Sequence, residues 1–139
     1  MRYFVDTNVL VYAHDEAEPA KRDAALSWLA AHAGQVVLSA QVLAEFYVTV
    51  TRRLARPLAP AVAAEQLDEL GAAPVVPVDD DLVRSAARLS HVHHLSLWDA
   101  MVVRAAAVGG CDVLATEDLT HNTVLDGVRI LNPFLDPRR

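Results

Sequence analysis

The sequence predicts an α/β fold in which helices cover both faces of a parallel, five-stranded sheet, and three observations carry that expectation. Short apolar, β-rich runs alternate with helix-patterned segments along the whole chain, which is the order of successive βα units. The strand candidates are apolar without strict alternation, as strands buried on both faces are. The length, 139 residues, is that of one domain, so residues 1–139 are expected to share a single core.

Arg2 to Val5 reads as a first buried strand, stopped by the turn formers Asp6, Thr7 and Asn8. Val9 to His14 predicts a brief helical turn. Pro19 opens an Ala/Leu/Trp-patterned helix to about His32, stopped by Gly34. Gln35 to Leu38 is the second strand, and Ser39 is placed to cap a helix from Ala40 to about Leu54 that must end before Pro57. A further helix runs from Pro60 or Ala61 to Leu70, with Gly71 as its stop, and strand three follows at Val75 to Val78. Asp79 caps a helix to about Ser90, whereas His91 to Leu95 reads as a loop by composition. Ser96-Leu97-Trp98-Asp99 has the spacing of a capping box and starts a helix to Val108 that Gly109-Gly110 ends. Strand four is Asp112 to Thr116. A turn-rich stretch with Asn122 and Asp126-Gly127 leads to strand five, Val128 to Leu131, then Pro133 and a polar tail.

With 53% apolar and 22% charged residues, disorder and fibrous repeats are excluded. Glu45 and Arg104 interrupt the longest apolar runs before the roughly 18 residues a membrane span needs. Asp6 falls where the apolar stretch of an export signal would lie, and the lone Cys111 cannot form an internal disulfide. A soluble, cytoplasmic protein is expected. The 18 acidic residues exceed the 12 basic ones, of which Lys21 alone is lysine, leaving a formal charge of −6. That balance argues against large non-specific duplex affinity and confines any nucleic-acid role to a local surface.

Ligands in open parallel sheets bind beyond the carboxyl ends of the strands, so the acids at strand ends matter most. Asp6 follows strand one, and Asp118 follows strand four with Thr116 on the same side by strand parity, whereas Glu117 should face away. Turn formation or helix capping would explain both aspartates equally well. Asp99 sits in a helix that is apolar almost all round, where an unpaired carboxylate costs several kcal/mol. The capping box is its plainer explanation. Glu45 lies mid-helix, and Gln41, Glu45, Thr49, Arg52 and Arg56 form one polar stripe, which is also what an ordinary solvated face looks like. Together, four acids on four elements suggest crowded like charges joined by a cation. An all-oxygen set suits Mg²⁺ or Mn²⁺ rather than zinc, and such a site serves phosphoryl transfer.

Asp6-Thr7-Asn8, Glu45, Trp98-Asp99-Ala100 and Thr116-Glu117-Asp118 together resemble the four acidic motifs of PIN-domain ribonucleases, most closely VapC-type toxins of bacterial toxin–antitoxin pairs. The resemblance covers the whole chain, including Val128-Arg129-Ile130-Leu131-Asn132-Pro133. It implies an α/β/α sandwich with strand order 3-2-1-4-5 and Mg²⁺- or Mn²⁺-dependent endonucleolytic cleavage of RNA. It also implies a homodimer and inhibition by a cognate antitoxin. Asp6, Glu45, Asp99 and Asp118 would hold the ion, with Thr7, Asn8 and Thr116 hydrogen-bonding behind them. Glu117 replaces Asp118 if strand four is shifted by one residue.

Arg52, Arg53 and Arg56 are candidates for guiding an RNA strand toward Glu45, or simply a solvated face. His91, His93 and His94 are assigned to the surface without a role, Asp79, Asp80 and Asp81 to a helix start, and Trp28 and Trp98 to the core. Two other classes compete with the nuclease. A signalling receiver domain would need a lysine beyond a late strand, and a catalytically silent binding module would carry its acids for structure alone.

Overall fold

Chain order places the first strand in the middle of the sheet. In the computed structural model, which describes residues 1–135, the elements in order are β1 (Tyr3–Val5), α1 (Thr7–Tyr12), α2 (Pro19–Ala31), β2 (Val36–Ser39), α3 (Ala40–Arg52), α4 (Pro60–Leu70), β3 (Val75–Val76), α5 (Asp80–His93), α6 (Leu97–Val108), β4 (Val113–Ala115), β5 (Val124–Leu125) and β6 (Val128–Leu131). The sheet order is β3-β2-β1-β4-β6-β5. The polar tail, from residue 136 onward, lies outside the described residues.

All neighbours pair in parallel except β5 and β6, which are antiparallel. The order 3-2-1-4-5 is thus present, with β6 as its last strand, and the expectation of five parallel strands is corrected by an added edge hairpin. Asp126 and Gly127, both with positive φ (52° and 78°), make the two-residue turn that brings Val124 opposite Arg129. A two-residue strand carries no periodicity for a sequence reading to find.

The core is apolar on both sides of the sheet. Phe4, Val5, Leu38, Leu114, Ala115 and Ile130 are fully buried, and Val9, Phe46, Val103 and Ala106 reach them from the helices. α6 lies close against the sheet because Gly109 ends it. A Cβ there would stand 3.1 Å from methyl carbons of both Val37 and Val76, tighter than packed atoms tolerate.

Three further expectations change. The segment 91–93 continues α5 rather than forming a loop; no glycine or proline interrupts it, and His94 ends it in the left-handed conformation (φ 55°). The helix over Glu45 stops at Arg52, so Arg56 lies beyond the helical part of the stripe. Trp98, assigned to the core, is 62% exposed, while Trp28 is partly buried against Tyr3 and His32. Among the described residues no helix is long and apolar enough to cross a membrane.

Candidate active site

β1 and β4 end side by side where the strand order reverses, and the backbone N–H of Asp6 donates to the carbonyl of Ala115 at 3.0 Å. A cleft of about 500 Å³ opens there, at the position open α/β sheets use for ligands. Asp6, Glu45, Asp99 and Asp118 all line it, with Thr7, Gln41, Trp98 and Arg53. The chain therefore brings four carboxylates from four separate elements into one hollow.

Each is held by a local reason. Asp6 caps α1, its Oδ1 accepting from the Thr7 N–H at 2.7 Å. Its other oxygen accepts from the Thr116 hydroxyl at 2.8 Å and from the Asn8 amide at 3.3 Å. Glu45, half-buried on α3, accepts from the Thr7 hydroxyl at 2.9 Å and from Gln41 at 3.1 Å. Asp99 stands in the first turn of α6, where the Ser96 hydroxyl accepts its N–H at 3.1 Å. This is half of the predicted capping box, and the Asp99 carboxylate is left facing the cleft.

Asp118 and Glu117 part company, for a reason other than strand parity. β4 ends at Ala115, so residues 116–118 form a turn in which the Thr116 hydroxyl accepts the Asp118 N–H at 3.1 Å. Asn8 fixes that turn: its amide nitrogen donates to Asp118 at 3.1 Å, and its oxygen accepts the Glu117 N–H at 3.3 Å. The Glu117 carboxylate points to the other side, accepting from the Tyr12 hydroxyl and the Lys21 ammonium, both at 2.8 Å. Lys21 is thereby occupied, and it is not among the residues lining the cleft. Nothing in the sequence pattern pointed to this Tyr12–Lys21–Glu117 triangle, because its members lie 96 and 105 residues apart.

Arg53 lines the cleft, Arg52 is exposed away from it, and Arg56 pairs with Glu16 at 3.0 Å. The structure thus brings one of the three arginines to the site. Thr49, Val48 and Val102 also line the hollow without having been singled out as site residues. His91, His93 and His94 remain exposed on and after α5.

Burial pushes the Asp6 carboxyl up from 3.8 to about 6, against the hydrogen bonds from Thr116 and Thr7 and with the added repulsion of Asp118 and Glu45. Burial also raises Asp118, opposed by Asn8 and reinforced by Asp99, Glu117 and Glu45. Asp6 therefore binds its proton more tightly folded than unfolded. The stability it confers is complete below about pH 4 and is lost as pH rises to about 6, a change of about 3 kcal/mol for the metal-free protein. Urea midpoints of the native protein and Asp6→Asn compared from pH 4 to 7 should show the variant gaining on the native chain over that window. A constant difference would assign Asp6 an ordinary pKa.

Whether these residues suit a cation is decided by their chemistry and orientation. The donors are all oxygen and share a hollow in which their charges repel, which suits a hard divalent ion. As oriented, however, no three Asp, Glu, His or Cys side chains among the described residues converge on one point. The oxygens of Asp6 and Glu45 are turned to their hydrogen-bond partners instead.

A crossover α/β sheet with an acid-lined cleft at its reversal point defines the class of α/β domain to which this chain is to be compared. The PIN domain profile matches residues 3–124, and the chain belongs to the PIN domain family. Solved structures agree on the fold. The chain is 22% identical to a protein in the FitAB complex bound to an IR36 DNA fragment, with a TM-score of 0.69 over 99% of each chain. It is 25% identical to Mycobacterium tuberculosis VapC20, a toxin that cleaves the sarcin–ricin loop, with a TM-score of 0.67 over 81% of this chain and 86% of that one. A toxin–antitoxin complex from Klebsiella pneumoniae matches at 19% identity and a TM-score of 0.69, over 96% and 98%. Curated protein sequences yield no match.

Proposed function

We propose that the protein is a divalent-metal-dependent endoribonuclease, the toxin of a toxin–antitoxin pair, acting as a cytoplasmic homodimer restrained by a cognate antitoxin. The observation that carries this reading is the meeting of Asp6, Glu45, Asp99 and Asp118 in one cleft at the β1/β4 reversal. The likeness to VapC20 and to toxin–antitoxin complexes supports RNA as substrate and an antitoxin as partner.

Asp6, Glu45, Asp99 and Asp118 would hold Mg²⁺ or Mn²⁺. When bound, such an ion polarises a phosphodiester and lowers the pKa of water. The chain's own part is positioning. Thr116 and Asn8 fix the Asp6 and Asp118 carboxylates relative to each other, and Thr7 ties Asp6 to Glu45 by bonding both. Arg53, exposed at the rim, supplies a planar donor fork for a substrate phosphate.

Cleavage of RNA by the purified protein in Mg²⁺ or Mn²⁺, stopped by EDTA, tests the reading. The melting temperature provides a second check. Crowded acids repel without a cation, so either ion at a hundred times its dissociation constant should stabilise the fold by about 2.7 kcal/mol, several degrees for a domain of this size. A melting temperature indifferent to both ions would favour a catalytically silent module instead.

A further inference from the structure

We propose that Trp98 is the stacking platform of a nucleobase subsite beside the acids, so that the substrate carries an unpaired base next to the cleaved phosphodiester. This rests on the endoribonuclease reading and specifies its substrate. Trp98 is 62% exposed although it adjoins Asp99 in the apolar helix α6. It stands on a shared rim: it lines the acidic cleft, and it lines a second, mostly apolar hollow of about 560 Å³ with Ala44, Val78 and Met101. Gln41, Ala44 and Glu45 also border both hollows, so the second is continuous with the first.

Gln41 links the two, donating to the Trp98 carbonyl at 3.3 Å and to the Glu45 carboxylate at 3.1 Å. Its own side-chain oxygen is left buried without a hydrogen-bond partner. That oxygen is enclosed by the protein, so the contact the subsite offers is the ring itself: a nucleobase presents a flat face for the indole. A phosphodiester at the four carboxylates necessarily has a nucleoside on either side, and Trp98 is the exposed aromatic ring bordering that position. A base held in a duplex cannot present its face, so the subsite takes single-stranded or looped RNA.

Trp98 and Trp28 are the two tryptophans of the chain, so replacing Trp28 with phenylalanine leaves Trp98 as the single indole reporter. In that background, made non-cleaving with Asp6→Asn, oligoadenylate in Mg²⁺ buffer should quench the Trp98 fluorescence. Trp98→Ala should weaken oligoadenylate binding about tenfold, the size of one stacked base, and Trp98→Phe should recover most of it. An abasic oligoribonucleotide of equal length should bind the native and Trp98→Ala proteins alike. Cleavage by the otherwise native protein supplies the control. If that protein cleaves RNA while Trp98→Ala binds and cleaves equally well, the inference is overturned alone. If it cleaves no RNA, the nuclease reading fails and takes the inference with it. A Trp98→Ala protein whose oligomeric state changes by light scattering, with abasic and adenylate binding reduced equally, assigns the face to a second copy of the chain and likewise overturns the inference.

Discussion

Asp6→Asn should abolish RNA cleavage while making the metal-free protein more stable than the native one at neutral pH. The exchange is isosteric: the Asn oxygen still accepts the Thr7 N–H, while the bonds that Thr116 and Asn8 donate to the second carboxylate oxygen are lost. What disappears with them is a buried negative charge among Asp118 and Glu45. Activity should fall at least a hundredfold, about 3 kcal/mol of transition-state stabilisation. The stabilising effect of Mg²⁺ on melting should shrink with it. Activity within a fewfold of native would remove Asp6 from the mechanism, and a loss of apo stability would show that its hydrogen bonds outweigh its charge. Asp99→Asn, half-buried at the start of α6, should lose cleavage to a similar degree with little change in melting.

The second large effect separates two adjacent acids. Asp118→Asn should lower cleavage by about a hundredfold or more, whereas Glu117→Gln should stay within a fewfold of native. Both exchanges remove one negative charge at neighbouring positions, so a general field effect cannot distinguish them. Their placement does: Asp118 lines the cleft and is held by Asn8, whereas the Glu117 carboxylate lies against Tyr12 and Lys21. A Gln side-chain oxygen still accepts one of those two bonds. Steady-state cleavage of one RNA by both variants decides the matter, and the reverse ranking would assign the fourth carboxylate to Glu117.

The parts of this architecture that sequence reading reached are those written in local patterns. β1, β2, β4 and β6 are apolar runs closed by turn formers, and Ser39, Asp79 and Ser96 each cap the helix assigned to them. The acids of the cleft were legible because Asp6 and Asp118 closely follow strands and because Asp99 and Glu45 sit in helices otherwise rich in apolar residues. What escaped depends on distant partners. The β5–β6 hairpin is too short for a period, and the exposure of Trp98 depends on how α3 and the β3–α5 junction pack beside it. The side chosen by Glu117 is set by Asn8, Tyr12 and Lys21 rather than by strand parity.

Asp6 and Asp118 lie just beyond the ends of the neighbouring strands β1 and β4, yet 112 chain positions separate them, and β1 is synthesised well before β4. Closing so long a loop is entropically costly and kinetically slow, and nothing short of β4 docking completes the carboxylate set. A growing chain on the ribosome therefore carries Asp6, Glu45 and Asp99 without their fourth member until β4 and the turn after it have emerged. For the ribonuclease proposed above, the order of translation itself delays assembly of the cutting site until β4 has been made.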